Sequence, residues 1–411
     1  MLTRTDVTSG LEMEKFAGRY AAPHKANGRR IGKPVFVAMS VVASEKPVVV
    51  VAMSDDAPAA SEKPVVVMPV SRRRRDIDGL RLVACAAVVV NHMDESWLMG
   101  GFTGVDVFFV ISGFVVTLSS TCKTQHLNPL PFYARRVRRL MPLSVATVLV
   151  TAYTMLLVLP ATLERGEHLN DDAEAVTRIS DAGLCSLVGW ANNYLAIRSI
   201  HTDDNYWGEG RASSAFNPFT HFWSLGVEEQ FYVLFPLLLA VWRKWRRAGT
   251  VALLCICAAS LVLCGLHQRN GSPLQDAAFY LVYTRAWQLL AGVALTWPAT
   301  HAPLLERLAT TRAGRLTTHL LGLASFLLLG TSFAIAQAEH HLARPLFPLP
   351  IALPAVGGTA SFILAGSVTA AAVPKPPSRS SAGGESPLPL LNRLLATPPC
   401  VYGGALVCAA P

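Results

Sequence analysis

The sequence predicts an all-α, polytopic integral membrane bundle that follows a disordered N-terminal extension. Of its 411 residues, 52% are hydrophobic and only 15% are charged, whereas soluble domains carry about 25% charged residues. Short basic clusters at 72–75, 135–139 and 242–247 border long apolar runs, as expected for cytoplasmic anchors under the positive-inside rule. The net charge of +9 therefore reflects membrane topology, and we expect membrane lipids rather than nucleic acid as partners.

Residues 1–75 are expected to form a disordered, repeat-containing extension. The octapeptide ASEKPVVV occurs twice, at 43–50 and 60–67, and proline and charged residues interrupt the valine runs. These runs are too short to cross a bilayer, which takes about 20 apolar residues. Biased segments of this kind are typical of disordered regions, because they bury too little apolar surface to fold.

Residues 76–372 are expected to form the membrane domain. Nine apolar runs follow one another in this region, and most are long enough to cross the hydrocarbon core as a helix. The runs cover 79–97, 103–120, 141–160, 183–197, 224–241, 250–266, 279–297, 316–336 and 349–372. Each run is predicted to be one membrane helix, apart from the short fourth one.

The fourth run, 183–197, is predicted not to cross the membrane fully. It is short, contains Asn192 and Asn193, and follows an acidic loop predicted at 161–182. If it crossed, the basic cluster at 242–247 would lie outside the cytoplasm; if it is re-entrant or interfacial, the basic clusters lie inside. A missed span elsewhere is the alternative that the charges leave open.

Residues 373–411 are expected to be a linker followed by a truncated or divergent C-terminal segment. The linker at 374–390 is rich in proline, serine and glycine, a composition typical of flexible connections. The apolar residues that follow it are too few to cross a bilayer.

Arg81 and His92 lie in the first apolar run, where ionisable side chains are costly and usually functional. Eleven residues make about three helical turns, so both side chains project to nearly the same face, roughly 16 Å apart along the axis. With the start of the run in the cytoplasm, Arg81 lies near the cytoplasmic end and His92 lies deeper. This arrangement suits a long anionic donor, with arginine on its phosphates and neutral histidine as general base. A snorkelling arginine and a packing histidine are the alternative.

The sequence around this pair resembles the acyltransferase 3 family of polytopic membrane enzymes. The resemblance rests on an arginine and a histidine separated by ten residues, Arg81 and His92, followed by GGFTGVDVFFVISGF at 100–114. It implies an all-helical enzyme that moves acyl groups, often acetyl, onto sugars and other acceptors. It also implies that His92 is the catalytic base and that Arg81 is its required partner. The resemblance covers roughly residues 76–297.

Asp106 lies in the second motif between two valines. A carboxylate in such an apolar run avoids lipid, so we predict that it pairs with an arginine or orients His92, with a structural salt bridge as the alternative. The glycines of this motif are predicted to allow close helix packing. They are Gly100, Gly101, Gly104 and Gly113.

The segment FYARRVRRLMP at 132–142 resembles the basic motif that the family carries after its second span. Arg136 and Arg139 match the RxxR element of that motif. Two arginines three residues apart share a helix face and are able to hold coenzyme A phosphates at the cytoplasmic border. We therefore predict that both bind the donor, with a purely topogenic anchor as the alternative.

The segment FNPFTHFWSLGVEEQFYVLFP at 216–236 is a third match to the family. Adjacent residues of a helix point in different directions, so at most one of Glu228 and Glu229 faces a cavity. We choose Glu228 to orient the histidine or the acceptor, with helix capping as the alternative. His221 and Trp223 are predicted to bind substrate, although an interfacial position also explains the histidine.

A weaker match, AFYLVYTRAWQLLAG at 278–292, contains Arg285 inside an apolar run. Such an arginine needs a partner or a water-lined cavity, and we predict that it binds substrate. The family often has an acidic residue where this chain has Gln288.

The eight cysteines predict neither disulfides nor a metal site. No pair of them has the short spacing of metal ligands, and several lie inside apolar runs as small packing residues. These are Cys85, Cys255, Cys257 and Cys264. We therefore expect a reaction without a metal.

Together, the motifs predict transfer of an acyl group, acetyl by resemblance, from acyl-coenzyme A to a hydroxyl of a carbohydrate or lipid-linked acceptor. His92 is expected to act as the general base, and Glu228 or Asp106 to set its tautomer. Two alternatives stay open. One is a membrane transporter with an intramembrane relay of charged residues, and the other is an inactive, truncated family member.

Overall fold

The computed structural model describes residues 37–42, 46–51, 74–94, 97–121, 129–163, 169–201, 217–269, 272, 274–339, 347–372 and 390–402. The chain divides into two compact units, Met1–Pro69 and Val70–Pro411. In the first unit, strand β1 (Val37–Val42) pairs antiparallel with strand β2 (Lys46–Val51). Of the rest of the extension that we predict to be disordered, the structure describes only Arg74 and Arg75, and Arg75 is the first residue of a helix.

The second unit is helical in the part that the structure describes, as the sequence predicts. Short 3₁₀ helices at Met99–Thr103 and Ala277–Phe279 precede the second and eighth α-helices. The α-helices are α1 (Arg75–Met93), α2 (Gly104–Thr121), α3 (Pro129–Leu163), α4 (Leu169–Leu187), α5 (Ala191–His201), α6 (Phe222–Lys244), α7 (Arg246–His267), α8 (Val282–Thr300), α9 (Ala302–Thr310), α10 (Arg312–Glu339), α11 (Ala352–Ala372) and α12 (Leu390–Leu395).

Five stretches of the described chain are long and apolar enough to cross a membrane. They are Gly100–Ser120, Phe222–Lys244, Arg246–His267, Arg312–Ala334 and Ala352–Ala371. Large apolar side chains on these helices face outward, among them Leu254, Leu320 and Phe326, as expected for a surface against lipid. The chain is an integral, multi-pass membrane protein.

Helices α2 and α8 lie at the buried centre of the bundle. Phe109 and Ile111 of α2 and Leu289 of α8 are fully buried. A Cβ atom on Gly113 would overlap the carbonyl oxygen of Leu289, and one on Gly104 would collide with the backbone of α1. Small residues allow membrane helices to approach this closely, so the predicted role of the motif's glycines in helix packing is confirmed.

The fourth apolar run does not form one continuous helix. Helix α4 ends at Leu187, α5 begins at Ala191, and Gly189 between them has a φ of 67°. Helix α5 has 11 residues and is therefore only about 16 Å long, about half the thickness of the hydrocarbon core. This break is compatible with the predicted re-entrant or interfacial segment, and the membrane topology itself stays a prediction.

The prediction of an acidic loop at 161–182 is wrong for its second part, because α4 begins at Leu169. Ala182 is buried, and Ile179 packs with it against Phe219. An amphipathic helix carries charged residues on the face opposite its apolar stripe. Asp181, next to the buried Ala182, is exposed, so at least this acidic residue lies on the outer side of a helix where composition alone suggests a loop.

The residues after the linker pack back onto the start of α1. Asn392 of α12 donates a hydrogen bond of 2.7 Å to the carboxylate of Asp76, and Arg74 forms a salt bridge of 2.7 Å with the same group. This contact ties the segment that we predict to be divergent to the bundle. Of the predicted linker at 374–390, only Leu390 is among the described residues, and it is the first residue of α12.

Candidate functional site

A fully buried ion pair joins α2 to α8. The Nη1 atom of Arg285 lies 3.1 Å from the Oδ1 atom of Asp106, and both side chains have no exposed surface. Buried charges persist in proteins when they are paired and hydrogen-bonded. Asp106 thus has the arginine partner that the sequence predicts as one of its possibilities.

Aromatic rings surround the guanidinium of Arg285. Its central carbon lies 4.6 Å from the ring centroid of Phe347, 4.9 Å from that of Phe279 and 5.1 Å from that of Trp223. Cation–π contacts of this kind gain strength when they are desolvated. Trp223 is also buried. Arg285 and Trp223 thus contact each other inside the protein, and substrate binding by these two residues stays a prediction.

Gln288 stands one helical turn after Arg285 and contacts the same carboxylate. Its Nε2 atom donates a hydrogen bond to the Oδ1 atom of Asp106, and the side chain is fully buried. A second carboxylate at this position would repel Asp106. A neutral glutamine at position 288 is therefore compatible with the carboxylate of Asp106 beside it.

A second polar cluster lies around Glu228 on α6. Ser112 of α2 donates a hydrogen bond of 2.8 Å to one carboxylate oxygen of Glu228, and the Tyr232 hydroxyl donates one of 3.0 Å to the other. Ser112 and Glu228 are half-buried and Tyr232 is buried. Glu228 therefore accepts hydrogen bonds from two hydroxyls, and its predicted role in orienting the histidine or the acceptor stays a prediction.

Arg136 of α3 lies against this cluster. Its guanidinium carbon is 3.4 Å from the ring centroid of Tyr232 and 5.3 Å from that of Phe132. Within the described part of the chain, its buried Nε atom has no hydrogen-bond acceptor. Arg139 is exposed, so the two residues of the predicted donor-binding pair have different surroundings.

The break between α4 and α5 is fixed to α6 by side-chain amides. The Nε2 atom of Gln230 donates 2.7 Å to the Oδ1 atom of Asn192 and 3.1 Å to the carbonyl oxygen of Gly189. Asn192 in turn donates 3.2 Å to the carbonyl oxygen of Tyr280. These bonds hold α5, α6 and the segment before α8 in one register.

Replacing Gly189 with alanine is expected to destabilise the chain by about 1–2 kcal/mol, because an L-residue in the left-handed region is strained. The added Cβ atom would also collide with the carboxylate of Glu229. Unfolding of the detergent-solubilised chain in an SDS titration measures this effect. Gly265→Ala is the control, since no heavy atom lies within 4 Å of a Cβ there, and equal stability of the two variants would contradict the prediction.

His92 and His221 lie near each other where α1 ends and α6 begins. His92 is the penultimate residue of α1, and His221 directly precedes α6. Desolvation by the surrounding protein and, to a smaller extent, the charge of His92 lower the pKa of His221 below its ordinary value. This shift favours the neutral form of His221. The sequence motifs give no sign that the two histidines lie near each other.

Arg81 lies on α1 three turns before His92, as predicted. Its Nη1 atom is 3.5 Å from a carboxylate oxygen of Asp78, and its side chain is only 14% exposed. It is thus directed largely into the protein. This position differs from that of a snorkelling arginine, whose charged head lies in water.

Several polar residues that build these clusters carry no clear signal in the sequence. Ser112 and Tyr232 stand inside apolar motifs, where each is easily taken for a packing residue. Their partner Glu228 is 116 positions away from Ser112, so spacing along the chain carries no signal of the contact. Asn192, noted only as a sign of a weak span, is the clearest signal that was available, because a buried amide requires a partner.

Comparison with protein families gives one extended match. The model of the acyltransferase 3 family, described as an acyltransferase domain, matches residues 74–373. This range includes the buried ion pair, the Glu228 cluster and the two histidines.

Two curated relatives illustrate the similarity. Peptidoglycan O-acetyltransferase OatA of Listeria monocytogenes is 32% identical over 231 residues, which are 54% of this chain and 34% of that protein. O-acetyltransferase OatA of Staphylococcus aureus strain NCTC 8325 is 28% identical over 275 residues, which are 64% of this chain and 41% of that protein. This chain thus spans less than half the length of these relatives. No solved structure matches it.

Proposed function

Because the chain belongs to the acyltransferase 3 family of membrane proteins, we propose that it transfers an acetyl group from acetyl-coenzyme A to a hydroxyl of a carbohydrate acceptor. The relatives named O-acetyltransferases support the acetyl group, and the one named for peptidoglycan supports a cell-wall glycan as acceptor. We propose that residues 76–372 carry this activity.

The observation that carries the proposal is the arrangement of polar groups along α6. His221, near His92, precedes the helix, while Glu228 and Tyr232 follow seven and eleven residues later beside Arg136. At 1.5 Å per residue the two groups are about 10–16 Å apart along the axis. An enzyme that joins reactants from opposite sides of a membrane needs polar groups at such separate depths.

In this proposal the basic residues hold the donor. Arg136 and Arg139 belong to the predicted cytoplasmic anchor at 135–139, and Arg81 lies in the cytoplasmic half of α1 in the predicted topology. Guanidinium groups bind phosphates through paired hydrogen bonds, which suits the diphosphate of coenzyme A. The buried Nε atom of Arg136, for which the described chain offers no acceptor, is a donor available to such a ligand.

The histidines act at the acceptor end. His92 would take the proton from the acceptor hydroxyl as general base, and neutral His221 would accept a hydrogen bond from the acceptor. Asp106 and Arg285 are not assigned contact with substrate in this proposal. Their ion pair, with Trp223 against it, positions α2, α6 and α8 around the site.

His92→Ala is expected to lower acetyl transfer by at least about 100-fold, the contribution of a positioned general base. The purified full chain in detergent micelles, where both ends are accessible, is supplied with radiolabelled acetyl-coenzyme A and peptidoglycan fragments. Label in the glycan is then measured. His319→Ala, which replaces an exposed histidine of α10, is the control and is expected to keep the wild-type rate.

Two results would contradict the proposal. A folded wild-type chain that moves no label would exclude the assigned activity, and full activity of His92→Ala would exclude its assigned base. Uptake of glycan without consumption of acetyl-coenzyme A would instead support the transporter.

A further inference from the structure

A serine hydroxyl donates a hydrogen bond to a carboxylate in the middle of the bundle. The Oγ atom of Ser112 lies 2.8 Å from the Oε1 atom of Glu228. A hydroxyl is a weak nucleophile by itself and is activated when an adjacent base takes its proton. The distance already lies within the range that such a transfer requires.

The carboxylate is held in place by its second oxygen. Tyr232, one helical turn after Glu228, donates to the Oε2 atom at 3.0 Å, and its buried ring is covered by the guanidinium of Arg136. The Oε1 atom is thereby directed at Ser112. A nucleophile, a base and a third group that orients the base make up the general arrangement of covalent catalysis.

Ser112 lies at an intermediate depth. It follows the start of α2 at Gly104 by eight residues and precedes its end at Thr121 by nine, so it is about 12–14 Å from either end of the helix. The side chain is only half-buried. Two groups of the proposed site lie on either side of it, the donor-binding arginines toward the predicted cytoplasmic end and the histidines toward the other.

We propose that Ser112 is a catalytic nucleophile that carries the acyl group as an ester between donor and acceptor, with Glu228 as its base. This inference rests on the proposed function and divides its reaction into two steps. It assigns Tyr232 as a positioning residue, because it acts on the carboxylate and not on the reacting atoms.

In the first step the Oγ atom of Ser112 attacks the thioester carbonyl carbon of the donor. The O–C bond forms, the C–S bond breaks, and the hydroxyl proton passes to Glu228 while the thiolate leaves and is protonated by water. In the second step the acceptor hydroxyl attacks the ester carbonyl, and Ser112 recovers its proton from Glu228. The acceptor's proton leaves toward His92 over water or the acceptor's own hydroxyls, which bridge the remaining depth. His92 then releases it to solvent, where it replaces the proton that the thiolate took from water.

The test is acyl labelling of the chain itself. The purified full chain in detergent is mixed with radiolabelled acetyl-coenzyme A without acceptor, quenched in acid and separated under denaturing conditions. We expect label on the wild-type chain, in the peptide that contains Ser112, and none in Ser112→Ala. Ser119→Ala, an exposed serine of the same helix, is the control and is expected to label normally.

Conservative variants separate chemistry from loss of folding. Ser112→Cys is expected to form a thioester, which neutral hydroxylamine cleaves, whereas the wild-type ester resists it. Glu228→Gln is expected to label at least about 100-fold more slowly, and the adjacent Glu229→Gln is expected to label like wild type. In His92→Ala the label is expected to persist after acceptor is added, because only the second step is impaired.

The outcomes distinguish this inference from the proposed function. Transfer of acetyl to the glycan by a wild-type chain that never carries label, or undiminished transfer by Ser112→Ala, would overturn the acyl-serine and leave the proposed function intact. Label on Ser112 with no transfer to any glycan would support the acyl-serine and contradict the proposed acceptor. Equal labelling of Ser112→Ala and wild type would also overturn the inference.

Discussion

Replacing Arg285 with methionine is expected to destabilise the folded chain by about 3–5 kcal/mol, because it leaves a buried carboxylate without its cation. The guanidinium pairs with Asp106 at 3.1 Å and donates 2.9 Å to the carbonyl oxygen of Phe279. Methionine retains much of the side-chain length and packs adaptably among aromatic rings. The expected loss is therefore mainly electrostatic, and unfolding in an SDS titration measures it.

A double-mutant cycle tests this explanation. Asp106→Asn combined with Arg285→Met is expected to be more stable than Arg285→Met alone, with a coupling energy of at least about 1 kcal/mol, because no unpaired charge remains. Arg138→Met removes an exposed arginine from α3 and is expected to stay within about 0.5 kcal/mol of wild type. Additive effects of the two buried substitutions would show that Asp106 does not depend on Arg285.

The helical membrane fold was predictable because its signal is local. A run of about 20 apolar residues specifies a membrane helix without reference to any other part of the chain. The break at Gly189 was less predictable, because it depends on a residue far away in sequence. Gln230, 41 positions later, donates a hydrogen bond to the carbonyl oxygen of Gly189. Helix α4 was missed because acidic and other polar residues interrupt its apolar residues, so that no long apolar run marks it.

The ionisable residues of the site were predictable, but their pairings and their hydroxyl partners were not. Asp106, Glu228 and Arg285 each stand out as ionisable residues in apolar runs, and burial costs make such residues functional candidates. Their partners lie far away in sequence, for example 179 positions between Asp106 and Arg285. Helix packing determines these pairings, and the sequence shows which faces are apolar but not which two faces meet.

For His92, too, one part of its position was predictable from the sequence and another part was not. Its separation from Arg81 along one helix was fixed by helical geometry alone. Its position relative to His221 depends on where the rest of the bundle places the end of α1 and the start of α6, which no local pattern specifies. The sequence therefore identifies single candidate residues, and the structure supplies the clusters that the proposed chemistry requires.

Replacing Gly113 with valine is expected to destabilise the chain by about 3 kcal/mol or more, because α2 and α8 have no room for a side chain at their contact. A Cβ atom at Gly113 would overlap the backbone carbonyl of Leu289, and one at Gly292 would overlap that of Val110. Backbone atoms cannot rotate away as a flexible side chain does. The helices must therefore separate, which also displaces Ser112 and the Asp106–Arg285 pair.

The matched control is Gly330→Val on α10, where no heavy atom lies within 4 Å of an added Cβ. Both variants add the same side chain to an apolar helix, so a difference between their unfolding midpoints reports the helix contact alone. Gly292→Val is expected to resemble Gly113→Val, since it strains the same contact from the other side. If Gly113→Val instead unfolded with the midpoint of Gly330→Val, α2 and α8 would have to lie farther apart than their glycines indicate. The α2–α8 contact would then not be what holds Ser112 of α2 within hydrogen-bond distance of Glu228.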